Sequence, residues 1–365
     1  MGSLTVGFIG LGLIGGSVAR ALKKADPGTV VMAYDRDAES LAEAYKDGTV
    51  DILLSGIDSR YSDCDLIFLC APVSTNMELA TQVAPFMKAG CILTDVGSVK
   101  ARMHRRIGEL SLSDRFIGGH PMAGSERTGY RNSKALLLEN AYYIITPTPE
   151  TSPEDLERFR SLVASMGAIP MVMDPEEHDT VTAAVSHLPH VISAALVNLV
   201  KDSDSDDGRM RTVAAGGFKD ITRISSSSPE MWQSICAENS ENISRLLSLY
   251  ISDLEEAKRL VDARDREGLR AMFDSARRYR ETFPSASAGP IKTDNAIHVE
   301  IPDRPGALAV VLTMLASASI DVKNVGIVHN REFETGSLRI ELHSERDVEK
   351  ASGILNGYGY AVTVG

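Results

Sequence analysis

The chain has 365 residues, 43% of them hydrophobic, and a formal net charge of −12. That length predicts two or three domains with ordinary cores. The acidic balance argues against a nucleic-acid protein, because phosphate binding needs basic patches that release counterions. The four cysteines, Cys64, Cys70, Cys91 and Cys236, form no CxxC pair and no metal spacing. They read as buried free thiols of a reducing, cytoplasmic protein. The longest apolar stretches, such as Val191 to Val200, are about half the ~20 residues of a membrane span, and the N-terminus shows no basic export region.

In chain order, short apolar runs alternate with amphipathic segments over residues 1–174. Strands are predicted at Thr5–Ile9, Val30–Tyr34, Leu66–Cys70, Cys91–Val96, Arg115–Gly118, Tyr142–Thr146 and Ile169–Met173. Helices are predicted at Ala38–Lys46 and Glu154–Met166, the second opened by Ser152-Pro153 as cap and first helical residue. Near-continuous apolar strands separated by helices make a mostly parallel, doubly wound α/β sheet of Rossmann type.

Over residues 175–283 the alternation stops. Pro175–Val200, Pro229–Val261 and Asp265–Thr282 carry apolar residues at three- and four-residue spacing, the mark of an all-α domain. Helices this apolar cannot all be buried within one small unit, so a homodimer in which they interlock is expected. Residues 284–295 form a small-residue linker. Residues 296–365 then read as βαββαβ: strands at Ile297–Ile301, Asp321–Val328, Ser337–Leu342 and Tyr360–Val364, helices at Ala307–Ala316 and Asp347–Leu355. That order is ferredoxin-like, α+β.

Gly10-Leu11-Gly12-Leu13-Ile14-Gly15 is a GxGxxG placed directly after an apolar strand and opening an apolar helix. Gly10 makes the tight turn, Gly12 lets backbone approach a pyrophosphate, and Gly15 lets helix pack on strand. The helix start, with Leu13 and Ile14, presents free N–H groups to the anion. The second strand ends at Asp35, placed to accept hydrogen bonds from an adenosine ribose diol and to repel a 2′-phosphate. The expected cofactor is therefore NAD; Arg36, next in the chain, leaves NADP open.

Two later loops follow strand ends, where ligands gather in such a sheet. Ala71-Pro72 lies in the first, beside the expected nicotinamide ribose. Ser98 and Lys100 lie in the second, Ser98 being either a site hydroxyl or a helix N-cap. His120, at a strand end before Pro121, suits proton transfer near neutral pH. Glu126 follows it, either orienting a neighbouring cation or solvated. His178-Asp179 precedes Ser186-His187-Leu188-Pro189-His190, where His187 and His190 share a helix face. A metal there is not expected, because HxxH leaves the third ligand unspecified. Gly216 to Arg223 sets Asp220 and Arg223 around a glycine turn, and Arg223 suits a bidentate carboxylate clamp. Trp232 is assigned to core or interface packing.

Taken in order, the glycine loop with Gly16-Ser17, GSVK, HPMAGSE, SHLPH, GGFKDITR and the Met231-Trp232 helix resemble the prephenate dehydrogenase family. The resemblance spans roughly residues 5 to 280. The tail, with Asp303-Arg304-Pro305-Gly306-Ala307-Leu308, resembles an ACT regulatory domain. The resemblance implies NAD-dependent oxidative decarboxylation of prephenate to 4-hydroxyphenylpyruvate. It makes His120 the acceptor of the hydroxyl proton, Ser98 its aligning partner, Arg223 the carboxylate-binding arginine and His190 a contact to the substrate side chain. His187, Asp179 and Asp220 then fix ring tautomers and the arginine's position. Glu126 is expected to pair with Arg223, and Lys100 joins Arg223 as a cation for the dianion. In the tail, Asp303, Gly306 and Asn324 mark where an amino acid, tyrosine or phenylalanine, would bind. Two other readings stay open: an arogenate dehydrogenase, and a non-catalytic regulator sensing NAD and an amino acid.

Overall fold

Apolar runs buried on both faces form the first sheet. β1 (Thr5–Ile9), β2 (Val30–Tyr34), β3 (Ile52–Leu53), β4 (Leu66–Leu69) and β5 (Ile92–Asp95) pair in parallel in the order β3-β2-β1-β4-β5. The computed structural model describes residues 3–125, 127–283, 295–302, 304–328 and 335–364. The chain divides into two compact units, Met1–Ala276 and Arg277–Gly365. Between the strands run α1 (Leu13–Ala25), α2 (Ala38–Lys46) and α3 (Val73–Val83), and α4 (Ala101–Glu109) follows β5. Strand alternation splits the core: Phe8 and Phe68 stack on one face with ring centroids 5.1 Å apart, while Ile67 and Leu69 enter the cluster on the other. The strand order reverses direction beside β1, which places a ligand crevice at the carboxyl ends of β1 and β4.

A second sheet of β6 (Ile117–Pro121), β7 (Tyr142–Pro147) and β8 (Ile169–Val172) continues from β5 through one bridge, Leu93 to Phe116. Here the structure departs from uniform parallel pairing, since β7 runs antiparallel to β6. The segment joining them holds only short 3-10 turns, Tyr130–Asn132 and Ala135–Leu137. Without a crossover helix the chain returns in the opposite sense. α5 (Pro153–Ser165), capped by Ser152, is such a crossover, and β8 is parallel to β7.

The helical region comprises α6 (Pro175–Thr182), α7 (Leu188–Ser203), α8 (Arg209–Val213), α9 (Gly216–Thr222), α10 (Pro229–Glu238), α11 (Ser240–Asp262) and α12 (Arg266–Glu281). One π-helical turn, Ala183–His187, joins α6 to α7. Pro189 cannot donate to the preceding turn, and the wider π turn absorbs that loss. The run Pro175–Ser203 is 29 residues long and contains an 18-residue window of mean hydropathy 1.5, long and apolar enough to cross a membrane and longer than the sequence suggested. It also holds buried His178, Asp179 and His187, polar groups that belong to a packed domain. Val185, Leu199, Val213, Ile221, Leu249, Leu254 and Phe273 lie exposed on these helices.

The second unit contains β9 (Ala296–Pro302), α13 (Ala307–Ser317), β10 (Val322–Val328), β11 (Thr335–Leu342), α14 (Glu345–Gly357) and β12 (Val362–Val364). Its antiparallel sheet, ordered β10-β11-β9-β12, has the expected ferredoxin-like topology. Ile297, Val299, Val311, Leu315, Leu338, Ile340 and Leu355 form its own core. Most of the 284–295 linker lies outside the described residues.

At Gly15 a Cβ would stand 2.8 Å from the Gly10 carbonyl oxygen and 2.9 Å from the Cys70 Cβ. Gly15→Ala should therefore force β1 and α1 apart at a cost of about 1–3 kcal/mol. A urea midpoint lowered at constant slope is the expected result; an unchanged midpoint would show that the loop yields freely.

Candidate active site

The glycine loop is built as a cradle. Gly10 adopts φ +96° and donates its N–H to Tyr34 O at 2.8 Å. Gly12 is the N-cap of α1, with no side chain capping the helix and no atom within 4 Å of where its Cβ would stand. Leu13 and Ile14 form the first turn of α1, so an open space faces the positive end of that helix. Asp35 accepts the Leu11 N–H at 2.5 Å on Oδ2 and the Asp37 N–H at 2.8 Å on Oδ1. These bonds fix the carboxylate at the end of β2 with acceptor capacity left for a ribose diol. Arg36 beside it is exposed. Past β4, the Ala71 N–H donates to Asn76 Oδ1 at 3.0 Å, and Asn76 Nδ2 donates to Leu69 O at 3.2 Å. Asn76 is fully buried and holds the Ala71-Pro72 loop in place. Sequence reasoning passed over it, although an asparagine four residues after a proline loop, inside an apolar helix, was a usable signal. Open space, a fixed carboxylate and a pinned loop together fit a dinucleotide.

Beyond β5 the chain enters a buried polar network. Lys100, expected to face a substrate carboxylate, has a side chain with no exposed surface. Its ammonium pairs with Asp95 Oδ2 and donates to Gly119 O at 2.8 Å. Burial pulls its pKa down while Asp95 pulls it back up. The Lys100 assignment is therefore corrected: this cation holds β5, α4 and β6 together. The cap of α4 is also unexpected. Asp179 accepts the Lys100 N–H at 2.7 Å and the Ala101 N–H at 2.9 Å, so a carboxylate from α6 satisfies the helix start. Ser98 is not the N-cap; it lies half-buried in the loop before Lys100, and its hydroxyl has no hydrogen-bond partner among the described residues.

His120 lies within β6 rather than in a loop after it, paired with Ile144 of β7. Its Nδ1 is 2.8 Å from His178 Nε2, and His178 Nδ1 is 2.8 Å from Asp179 Oδ1. Burial first, then the neighbouring His178 and Lys100, hold His120 well below the ordinary histidine pKa. Burial likewise lowers His178, against the raising effect of its bond to Asp179. Both rings are thus neutral near pH 7, as a proton acceptor requires.

His187 is buried, with Nδ1 3.1 Å from Asn239 Nδ2, and the same Asn239 amide donates to Asp179 O at 2.7 Å. The His190 ring stacks on Trp232 with centroids 3.6 Å apart, while His187 meets the indole edge-on at 6.0 Å. Trp232 packs in turn against Val73, Val99 and Ile235. Trp232 is thus a packing residue, as expected, and it seats His190 beside the residues that follow Pro72 and Ser98. The glycine turn before Arg223 is absent: Gly216 and Gly217 begin α9. α9 and the 3-10 turn Arg223–Ser226 pack along α7, the helix that carries His190. Arg223 and Asp220 are both exposed there. Glu126 lies outside the described residues, and no group of three or more metal-ligating side chains occurs among those described.

Two family models match the chain in succession. The prephenate dehydrogenase nucleotide-binding domain covers residues 18–172, and the prephenate dehydrogenase dimerization domain covers residues 174–275. A prephenate dehydrogenase of Bacillus subtilis is 35% identical over 349 residues, covering 95% of this chain and 94% of that protein. A cyclohexadienyl dehydrogenase of Zymomonas mobilis is 31% identical over 277 residues, 75% of this chain and 94% of that protein. Among solved structures, prephenate dehydrogenase from Aquifex aeolicus in complex with hydroxyphenyl propionate and NAD+ superposes with a TM-score of 0.73 at 31% identity, covering 77% of this chain and 98% of that one. Synechocystis arogenate dehydrogenase gives 0.68 at 28% identity, covering 77% of this chain and all of that one.

The buried histidines set a pH dependence. Burial pushes His104 and His187 down to about 4 in the folded chain, from 6.5. The unfolded chain thus takes up protons first as pH falls, so stability is full above 6.5 and declines towards 4. Tm should drop between about pH 7 and about pH 5; a flat Tm over that interval would contradict the neutral burial of both rings.

Proposed function

The chain belongs to the prephenate dehydrogenase family, and from that premise we propose that it oxidatively decarboxylates prephenate to 4-hydroxyphenylpyruvate on the route to tyrosine. The observation that carries this reading is a neutral histidine, His120, held from behind by a buried partner close to the dinucleotide crevice. NAD, when bound, supplies the two-electron acceptor for the ring carbon that bears the hydroxyl. Asp35 favours that cofactor over the phosphorylated form, because its carboxylate would repel a 2′-phosphate.

In this proposal His120 accepts the hydroxyl proton through Nε2, and Ser98 hydrogen-bonds the same hydroxyl to keep it in line. Carbon dioxide then leaves the ring, and aromatisation drives the step forward. Arg223 clamps a substrate carboxylate bidentately, with Asp220 and Glu126 setting its position. His190, stacked on Trp232, lines the side-chain end of the substrate. Asp179 and His187 act through their neighbours, Asp179 through His178 and His187 through Asn239. Lys100 serves the frame that holds the loop of Ser98 and the strand of His120.

The reading extends to assembly and control. The exposed apolar side chains of α7, α9 and α11 are the surface of a homodimer, in keeping with the dimerization-domain match. Four free cysteines support a cytoplasmic location. The ferredoxin-like unit acts as an ACT domain that binds tyrosine or phenylalanine. Gly306 supports this with φ +86° at the start of α13, and Asn324 with its place at a register shift in β10; Asp303 lies outside the described residues.

Reduction of NAD is followed by absorbance, with prephenate and then arogenate as substrate. Arg223→Ala should raise KM for prephenate by about 10-fold or more while leaving NAD affinity intact; an unchanged KM would remove the clamp. His120→Asn should cut kcat by about 10² or more, and near-normal turnover would remove the proton-acceptor role. Deleting residues 288–365 should abolish any inhibition by tyrosine or phenylalanine. Inhibition that persists would move the effector site to the catalytic unit.

A further inference from the structure

A histidine and an aspartate that cannot touch substrate stand in line behind His120. His178 is fully buried on α6, with its two ring nitrogens 2.8 Å from His120 Nδ1 on one side and 2.8 Å from Asp179 Oδ1 on the other. Each oxygen of Asp179 already accepts a backbone N–H, Oδ1 from Lys100 and Oδ2 from Ala101. The carboxylate therefore faces His178 as an acceptor, and the proton of His178 must sit on Nδ1. A neutral ring protonated at Nδ1 has a bare lone pair at Nε2. Across the next 2.8 Å gap the proton must then belong to His120 Nδ1, because two lone pairs in contact would repel. His120 is left with Nε2 unprotonated.

We propose that Asp179 and His178 set the tautomer of His120 across two rings, making His178 a positioning residue for the proton acceptor. The inference rests on the reading that His120 takes the substrate's hydroxyl proton. A solvated imidazole divides itself between two neutral tautomers, and only one of them has a free lone pair at Nε2. With the chain of donors in place that fraction approaches unity, and the ring plane is fixed as well. The geometry gives two adjacent buried residues of α6 one purpose: His178 reaches the back of the His120 imidazole, and Asp179 holds His178 from the other side. It also gives the trans cap of α4 a second use. The N–H groups of Lys100 and Ala101 keep both Asp179 oxygens oriented, so the helix start and the tautomer are held by one carboxylate.

The test uses the full-length enzyme. His178→Phe keeps the ring volume and removes the acceptor, while His178→Gln restores an acceptor oxygen near the place of Nε2. His178→Phe should lower kcat by about 10² with KM for prephenate and NAD affinity unchanged, and His178→Gln should recover about tenfold of that loss. Equal loss in both variants, or wild-type turnover in His178→Phe, overturns the proposal. His120→Asn serves as the control. If it too retains turnover, the proton-acceptor reading itself has failed; if it alone falls, only the role of His178 has. A measurement on the unaltered enzyme guards against misfolding of the variants. With 15N-labelled histidine, the His120 signals, identified by their loss in His120→Asn, should show a protonated Nδ1 and a bare Nε2 at neutral pH. The reverse pattern overturns the proposal without any variant of His178.

Discussion

The ion pair of Lys100 with Asp95, sealed from solvent where β5, α4 and β6 meet, is the interaction on which the functional geometry depends. Removing two charges from water costs several kcal/mol for each, so the pair is tolerable only with further hydrogen bonds. Those bonds are what make it useful. Asp95 also accepts the Gly97 N–H at 2.9 Å, and Lys100 also donates to Gly119 O at 2.8 Å. The loop that carries Ser98 and the residue before His120 are thereby tied to one buried point. Loss of either partner would leave an uncompensated charge in the core, a penalty of about 3–5 kcal/mol, far above that of any exposed pair on the surface.

A second constraint joins the nucleotide-binding sheet to the helices that follow it. Asp179 accepts backbone N–H groups at the start of α4, bonds to His178 through its side chain, and receives Asn239 through its backbone carbonyl. The same few atoms therefore close a helix end, orient the ring of His178 and anchor α10 against α6. Because α4 is capped from another domain, its own Ser98 is released from capping and its hydroxyl is left available to a ligand. Trp232 completes the junction by lying against Val73 and Val99, at the ends of the loops that follow β4 and β5, with His190 stacked on its ring. The loops after β4 and β5 and the helices that follow residue 174 are thus packed as one continuous structure.

Much of this was legible beforehand, and for local reasons. The strand at Thr5–Ile9, the glycines at 10, 12 and 15 and the acid at 35 specify a dinucleotide crevice, because turn, close approach and helix packing are steric requirements of neighbouring residues. Alternation of apolar runs settled the layered sheet, the helical region and the terminal βαββαβ unit, since burial of a periodic face depends on spacing along the chain. Four strands of the first sheet fall within a residue or so of expectation for the same reason, whereas the two-residue edge strand β3 is too short to show a period and was not expected. The reversed strand β7 escaped because direction depends on what the connection does in space.

By itself, then, the sequence determined most of the elements, their order and the chemistry available at the main strand ends. Only the tertiary structure decided which of those groups face a ligand and which serve one another. Lys100 and Asp179 are 79 positions apart, and His120 and His178 are 58 apart. Neither distance leaves a trace in local composition. Lys100 reads as a cation for the substrate until its pairing with Asp95 shows it inside, and His178-Asp179 reads as a bare pair in the chain until packing sets it behind His120. The physical reason is that charge state and hydrogen-bond direction are properties of an enclosed neighbourhood, and that neighbourhood exists only once β5, β6, α4 and α6 have packed.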